Sequence, residues 1–479
     1  MGGFFGVVSR RGCVDDLFYG TDYHSHLGTR RAGMAVFGGR GFRKIIHDIS
    51  NAQFRSKFEE ELCEFSGRAG IGVISDFEDQ PLLVSSHHGT YAIVSVSFVG
   101  NAEEITRELF AMRRGHFSST TCFGINQTEL ISAIIDTEPT LLEGLMRVQE
   151  VVKGSCSLLL LVDDGSIIAM RDRYGRTPVV LARDDEGYAV AMESTAFANL
   201  GYAYHRELGP GEIVRISAAG DQILSLPRPE MRICAFFWIY FGFPSSKYEG
   251  VNVEAMRYQN GAALARRSPA DVDIVTGVPD SGVAHALGFS QQTGIPYKRP
   301  FVKYTPTWPR SFMPPDQTRR QLIANKKLVA IPDFIQGKRI ACLDDSIVRG
   351  TQFRDQAHRL YDNGATEVHM RVACPPLLFG CKFLNFSRSS SENELIARRT
   401  AIEIDGAGAK MQDFTDPDSD RHNQMVERIR ARMGLTSLKY QRLDDMLGAL
   451  GLPANRVCTY CWNGRDPACD GCPGCGGAR

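Results

Sequence analysis

The sequence predicts an α+β region followed by an α/β region: stacked antiparallel sheets with flanking helices over residues 1–230, a doubly wound parallel sheet over 231–462, and a Gly/Cys-rich tail over 463–479. Three observations carry this prediction. The first half is punctuated by short apolar runs with few helical stretches between them. Strand-like and helix-like stretches alternate from 270 to 375, as a right-handed parallel sheet requires. Finally, the apolar run Ile340 to Leu343 delivers two adjacent carboxylates, Asp344 and Asp345, into a short Ser/Gly/Thr loop that opens the helical stretch Gln352 to Asn363.

Taken in order, Met1 to Ser9 reads as a Gly-punctuated apolar strand, and similar runs follow at Gly70–Ile74, Tyr91–Val99, Cys156–Val162, Ser166–Arg171 and Tyr188–Met192. Helical patterns at Ala102–Arg113 and Gln127–Ile135 supply flanking layers. In the second half Asp273 to Gly288 is a strand, a tight turn at Pro279-Asp-Ser-Gly282 and a helix, and Ala365–Ala373 is a further strand. Met433 to Leu450 reads as helical, ending at Gly451 with Pro453 as a stop.

At 479 residues the chain is long enough for two to three domains. Lys plus Arg number 55 against 55 for Asp plus Glu, so no net charge draws it to nucleic acid or to an anionic membrane. No apolar run approaches the roughly 18 residues of a membrane span, and no leader is visible, so a soluble cytoplasmic protein is expected. The thirteen cysteines are scattered, which in a reducing compartment favours thiols or metal ligation over disulfides.

The order strand, carboxylates, loop, helix suits phosphate. A buried strand ends where Asp344 and Asp345 can reach ribose hydroxyls or Mg2+, and the loop amides, the Ser346 and Thr351 hydroxyls and the next helix's positive end can hold a phosphate dianion. From spacing alone, a Rossmann-like turn with an incidental Asp pair remains open.

Asp344-Asp-Ser-Ile-Val-Arg-Gly-Thr351 resembles the 5-phosphoribosyl-1-pyrophosphate (PRPP) motif of type I phosphoribosyltransferases, in the form carried by amidophosphoribosyltransferases. The resemblance implies that Ser346, Ile347, Val348, Arg349, Gly350 and Thr351 bind PRPP, that Ser281 and Gly282 contact its pyrophosphate, and that Ser281, Asp344 and Asp345 form the Mg2+ environment. Pro300 to Pro315 corresponds to the family's closing loop. There Lys303 and Arg310 match catalytic cations, whereas the family's internal Asn-Arg pair is Tyr304-Thr305 here, and the basic run Arg319-Arg320 to Lys326-Lys327 is retained. A mobile cationic lid suits a leaving group of high negative charge.

The first half resembles a class II glutamine amidotransferase domain, which implies the αββα sandwich of N-terminal nucleophile hydrolases. His26 to Gly33, Arg171 to Pro178, Glu193-Ser-Thr195 and Glu207 to Glu212 carry the likeness. Its catalytic positions are altered. A glutaminase of this class uses a terminal thiol with its own α-amino group as base, but that position is Gly2, and the nearest cysteine, Cys13, lies inside the chain. Ser75 replaces the arginine that clamps the glutamine carboxylate, Gln127 the aspartate that holds its amino group, and Val99 the oxyanion-hole asparagine, while Gly100 remains. Loss of glutaminase activity is expected.

Cys234, Cys381, Cys458 and Cys461 fall where the iron–sulfur subclass of the family carries cluster ligands, which implies a [4Fe–4S] cluster that staples the C-terminal extension to the core; zinc accepts the same four thiolates. Cys469 to Cys475 lies outside the resemblance, as a second metal site or a disordered end. The expected activity is synthesis of 5-phosphoribosylamine from PRPP with ammonia, by a homodimer or homotetramer under purine-nucleotide feedback. A catalytically silent nucleotide-binding relative and a transferase with another acceptor stay open.

Overall fold

The computed structural model describes residues 2–112, 117–118, 120–121, 124–304, 328–385 and 392–465. Two antiparallel sheets form the first half. One has seven strands in the order Ala203–Glu207, Val180–Arg183, Gly187–Ala191, Gly2–Ser9, Ala69–Ser75, Arg31–Gly38 and Gly41–Asp48. The other has six, in the order Gly220–Ser225, Ile213–Ser217, Ile167–Met170, Gly154–Val162, Gly89–Val99 and Leu82–Ser86.

The continuous apolar runs of the sequence follow from burial of both faces of the central strands. Phe4 and Val8 point into the core between the sheets, and Phe5 and Val7 into an outer core with the helices Val14–Asp22 and Thr195–Leu200. Across the interface Leu159 and Leu161 join the inner core, while Leu158 and Leu160 pack under Gln127–Ile135 and Leu141–Val151. Period-two alternation therefore builds four layers, αββα, as expected.

In the second half the strands Ile274–Gly277, Arg339–Asp344, Glu367–Val372 and Ser437–Tyr440 are parallel and adjacent in that order. After the helix Gly282–Thr293 the chain makes a parallel bridge from Tyr297 to Val275, on the opposite side of the first strand from Arg339–Asp344. The chain thus winds one way and then the other, and the reversal lies between Ile274–Gly277 and Arg339–Asp344, where doubly wound folds bind ligands.

One expectation is corrected. Met433–Leu450 is not a single helix: the helix Asp420–Met433 stops at Gly434 (φ +67°), Ser437–Tyr440 is the fourth parallel strand, and a new helix spans Leu443–Leu450. Leu438 and Tyr440 are buried around an exposed Lys439, a period-two pattern that sheet pairing favours over helix. No helix among the described residues is long and apolar enough to cross a membrane.

Candidate active site

The two loops that follow the strands at the reversal touch. The Val278 N–H donates to the Leu343 carbonyl at 2.8 Å, and a Cβ at Gly282 would lie 2.4 Å from that same oxygen, so only glycine allows this approach. The Pro279–Asp280 peptide is cis, and Ser281 begins the helix Gly282–Thr293. Asp280 is exposed and accepts a 2.9 Å hydrogen bond from Lys303 Nζ, which places a cation of the expected lid on the turn that holds Ser281 and Gly282.

Asp344 closes its strand, and its carbonyl accepts the Ala373 N–H at 2.8 Å. The loop beyond is anchored at three points. Ile347 is buried, the Val348 carbonyl accepts the Ile396 N–H at 2.8 Å, and Arg349 pairs with Glu394. Gly350 adopts φ +78° immediately before the helix Thr351–Asp362, a conformation other residues rarely take, and presents that helix's N-terminus to the loop.

The twin acids are buried, 9% and 5% exposed, and among the described residues neither forms an ion pair. Burial, then the charge of Asp345, pushes the Asp344 carboxyl well above the usual range. Asp345 is raised to about 6 by burial, against the opposing hydrogen bonds of Ser346, whose hydroxyl donates at 2.7 Å, and of Ser281 and the charge of Arg257. Two crowded oxygen donors of like charge suit a hard divalent cation. The structure thus brings together Ser281, Gly282, Lys303, Asp344, Asp345 and the Ser346–Thr351 loop. Arg310, Arg319, Arg320, Lys326 and Lys327 lie outside the described residues.

Arg257 was not foreseen. Its guanidinium is buried and donates to the carbonyls of Trp238 at 2.7 Å, Tyr240 at 3.2 Å and Gly242 at 3.0 Å. It ties the segment that joins the two halves to the helix Val253–Arg267 and contributes positive charge to Asp345. In the sequence it reads as one more helical arginine beside Tyr258. The signal available was the small and apolar company of Met256, Gly261 and Leu264 on one helical face.

The four cysteines converge. Cys234 and Cys458 are register partners in a two-residue parallel pairing, Ile233–Cys234 with Val457–Cys458, and the Leu378 and Phe379 amides donate to the Cys461 carbonyl at 3.1 and 3.2 Å. A hydrogen bond from Cys461 brings the Cys381 thiol down to about 7, and Leu384 N–H reaches Cys381 Sγ at 3.3 Å. Arg176 Nη1 lies 3.4 Å from Cys458 Sγ. These contacts favour thiolate, the form that binds metal, at Cys381, whereas the same hydrogen bond holds the Cys461 thiol well above its usual range and burial does so for Cys234. Among the described residues no three of these sulfurs lie within 4.8 Å of one another. Cys469 to Cys475 are outside the described residues.

The positions at which the resemblance places altered glutaminase residues are hydrogen-bonded within the domain. Val99 N–H donates to Gln127 Oε1 at 2.9 Å, and Gly100 N–H to the Lys153 carbonyl at 2.8 Å. Ser75 Oγ accepts the Phe77 and Glu78 amides, both at 3.2 Å, and the buried Glu78 receives the Gln127 amide and the Thr128 amide and hydroxyl. Gly2 pairs with Ser75, and a Cβ at Gly2 would stand 2.5 Å from the Ile74 carbonyl oxygen.

Comparison with known proteins agrees with both halves. Residues 67–199 match the model of a glutamine amidotransferase domain. The chain is 31% identical to an amidophosphoribosyltransferase of Methanothermobacter thermautotrophicus, over 97% of this chain and 93% of the relative. It is 30% identical to one of Methanocaldococcus jannaschii, over 98% of each. Among solved structures, the glutamine PRPP amidotransferase from B. subtilis complexed with ADP and GMP superposes with a TM-score of 0.81 at 27% identity, covering 97% of both chains. With this extent of likeness, sheet topology and phosphate loops all in agreement, the chain belongs to the amidophosphoribosyltransferase family.

Proposed function

We propose that the chain makes 5-phosphoribosylamine from PRPP with ammonia, free or supplied by a separate protein, and that it does not hydrolyse glutamine. The observation that carries the transferase half is the pair Asp344 and Asp345, buried side by side at the reversal of the sheet between two phosphate-suited loops. In this reading the Ser346–Thr351 loop and the following helix hold the 5-phosphate, and the carboxylates hold the ribose hydroxyls. The ammonia nitrogen bonds to C1 of the ribose, the bond from C1 to the pyrophosphate oxygen breaks, and the new ammonium group sheds a proton. Ser281, Gly282 and Lys303 face the departing pyrophosphate.

Mg2+ fits the carboxylate oxygens, and Asp344, Asp345 and Ser281 would hold it; when bound it supplies charge neutralisation for the leaving group. The approach of Cys234, Cys381, Cys458 and Cys461 to one another supports a [4Fe–4S] cluster, with zinc, which accepts the same four thiolates, as the alternative. Its place across Cys234, Cys381, Cys458 and Cys461 is that of a staple between the linking segment and the C-terminal extension. The B. subtilis neighbour's complex with ADP and GMP supports purine nucleotides as feedback ligands, and a homodimer or homotetramer as the working form accords with such regulation.

Loss of glutaminase rests on the occupied amides of Val99 and Gly100 and on the missing thiol at Gly2. Release of pyrophosphate from PRPP and Mg2+ in the presence of ammonium tests the transferase. Release with ammonium but not with glutamine is the expected result; release with neither would replace this reading by a silent nucleotide-binding relative or by another acceptor.

A further inference from the structure

A cluster remote from both sites is unaccounted for. His87 and His88 form the turn of the hairpin between Leu82–Ser86 and Gly89–Val99, where Ser86 pairs with Gly89, and their ring centroids are 3.8 Å apart. Opposite them, the helix Gln127–Ile135 ends at Asp136. One ligand atom from each of His87, His88 and Asp136 lies within 4.8 Å of the other two, the single such group of histidine, cysteine and acidic side chains among the described residues.

The surroundings supply lone pairs. His87 Nε2 stands 3.0 Å from the Glu138 carbonyl, and His88 Nε2 stands 3.4 Å from the Ile135 carbonyl and 4.0 Å from Asp136 Oδ1. That carboxylate oxygen is buried and carries no hydrogen bond. The carbonyl end of a helix adds negative potential at this point. The phenol of Tyr91, pushed above its ordinary range by burial and by Asp136, is the neighbour on the sheet side. A groove of about 810 Å³ opens over the cluster, with His87, Asp136, Glu138 and Glu129 on its walls and Lys44 as the one lysine among the described residues that line it.

We propose that His87, His88 and Asp136 bind a divalent first-row cation, zinc or nickel, at the tip of the second sheet. Two imidazoles and one carboxylate are the donor set that such ions prefer over magnesium or calcium. With three protein ligands, a four-coordinate ion keeps a position open toward the groove. The cation would pin the hairpin turn to the end of the helix, and it has no part in the transferase reaction, whose Asp344 lies 208 residues beyond the nearest of the three ligands in sequence (344 − 136).

Calorimetric titration of untagged full-length protein with Ni2+ and with Zn2+ tests the site, after metal analysis has fixed what the protein already holds. The expected result is one equivalent bound, with His88→Ala and Asp136→Asn each weakening binding at least tenfold, His87→Ala doing the same at an exposed position where folding is not at risk, and Ser85→Ala on the same hairpin leaving it unchanged. Absence of binding beyond the cysteine-held metal, or equal isotherms for the parent and all three ligand variants, would overturn the proposal. The readout is independent of pyrophosphate release, so its failure leaves the proposed function standing.

Discussion

The two halves of the molecule treat a ligand site in opposite ways. In the transferase half like charges are left facing one another: Asp344 and Asp345 share a buried corner with no ion pair among the described residues, and both carboxyls are raised by burial, Asp345 against the more distant charge of Arg257. In the amidotransferase half the amides of Val99 and Gly100 are taken by Gln127 and Lys153. A site held open for a ligand carries an electrostatic cost that the ligand relieves, whereas a site no longer used relaxes into internal hydrogen bonds. The contrast is the one expected if, as proposed, the first site keeps its function and the second only its fold.

The largest expected effect breaks the first side of the contrast. Asp344→Asn and Asp345→Asn should each lower ammonium-dependent pyrophosphate release by about 10²-fold or more, because ribose and metal lose their orienting oxygens. The same substitutions should not lower the melting temperature of the ligand-free protein at pH 7.5. Burial holds Asp345 in the folded protein at about 6, above the 3.8 of an unperturbed aspartate, so its contribution favours folding below that lower value and is lost as pH rises through about 6. Asparagine removes this loss, and thermal unfolding at acid and neutral pH checks the sign. Added Mg2+ should raise the melting temperature of the parent at neutral pH more than that of either variant.

Next in size is the cluster. Cys381→Ser should abolish the visible iron–sulfur absorbance and lower the stability of the protein as purified, since the proposed cluster would hold together the linking segment and the C-terminal extension. Iron and sulfide analysis that instead returned one zinc per chain would keep the staple and change its metal. Lys303→Met should reduce kcat/KM for PRPP about tenfold, equivalent to about 1.4 kcal/mol, while leaving unfolding unchanged, because the Lys303–Asp280 contact lies at a largely exposed carboxylate.

The smallest effects belong to the amidotransferase half. Gln127→Ala should destabilise the protein by about 1 kcal/mol through the unpaired Val99 amide and leave the ammonium-dependent rate unchanged. Gly2→Cys should restore no glutaminase activity, since its Cβ would meet the Ile74 carbonyl at 2.5 Å and both nearby amides are occupied. Appearance of glutamate with that single change would show the old site to be far less closed than its hydrogen bonds indicate.

Much of this was legible in the amino-acid order, for physical reasons that differ from place to place. The phosphate loops are local: strand, acids, glycine and helix follow one another within a dozen or so positions, so Asp344 to Thr351 declares itself without tertiary information. The sandwich strands were visible because burial of both faces demands unbroken apolar runs such as Leu158 to Leu161. Ser437–Tyr440 was hidden because four residues following Gly434 carry too short a period to outweigh the helices on either side. The role of Arg257, the bond from Val99 to Gln127 and the meeting of His87 and His88 with Asp136 depend on residues brought together only by folding, and no spacing announces them.

The central claim is that nitrogen enters at the transferase site without passing through glutamine hydrolysis. Its most direct test is to supply PRPP and Mg2+ with ammonium and glutamine at equal concentration and to count pyrophosphate and glutamate in the same reaction. The account predicts sustained pyrophosphate release with no glutamate formed above the rate of glutamine's spontaneous decay. Glutamate rising in step with pyrophosphate would contradict it.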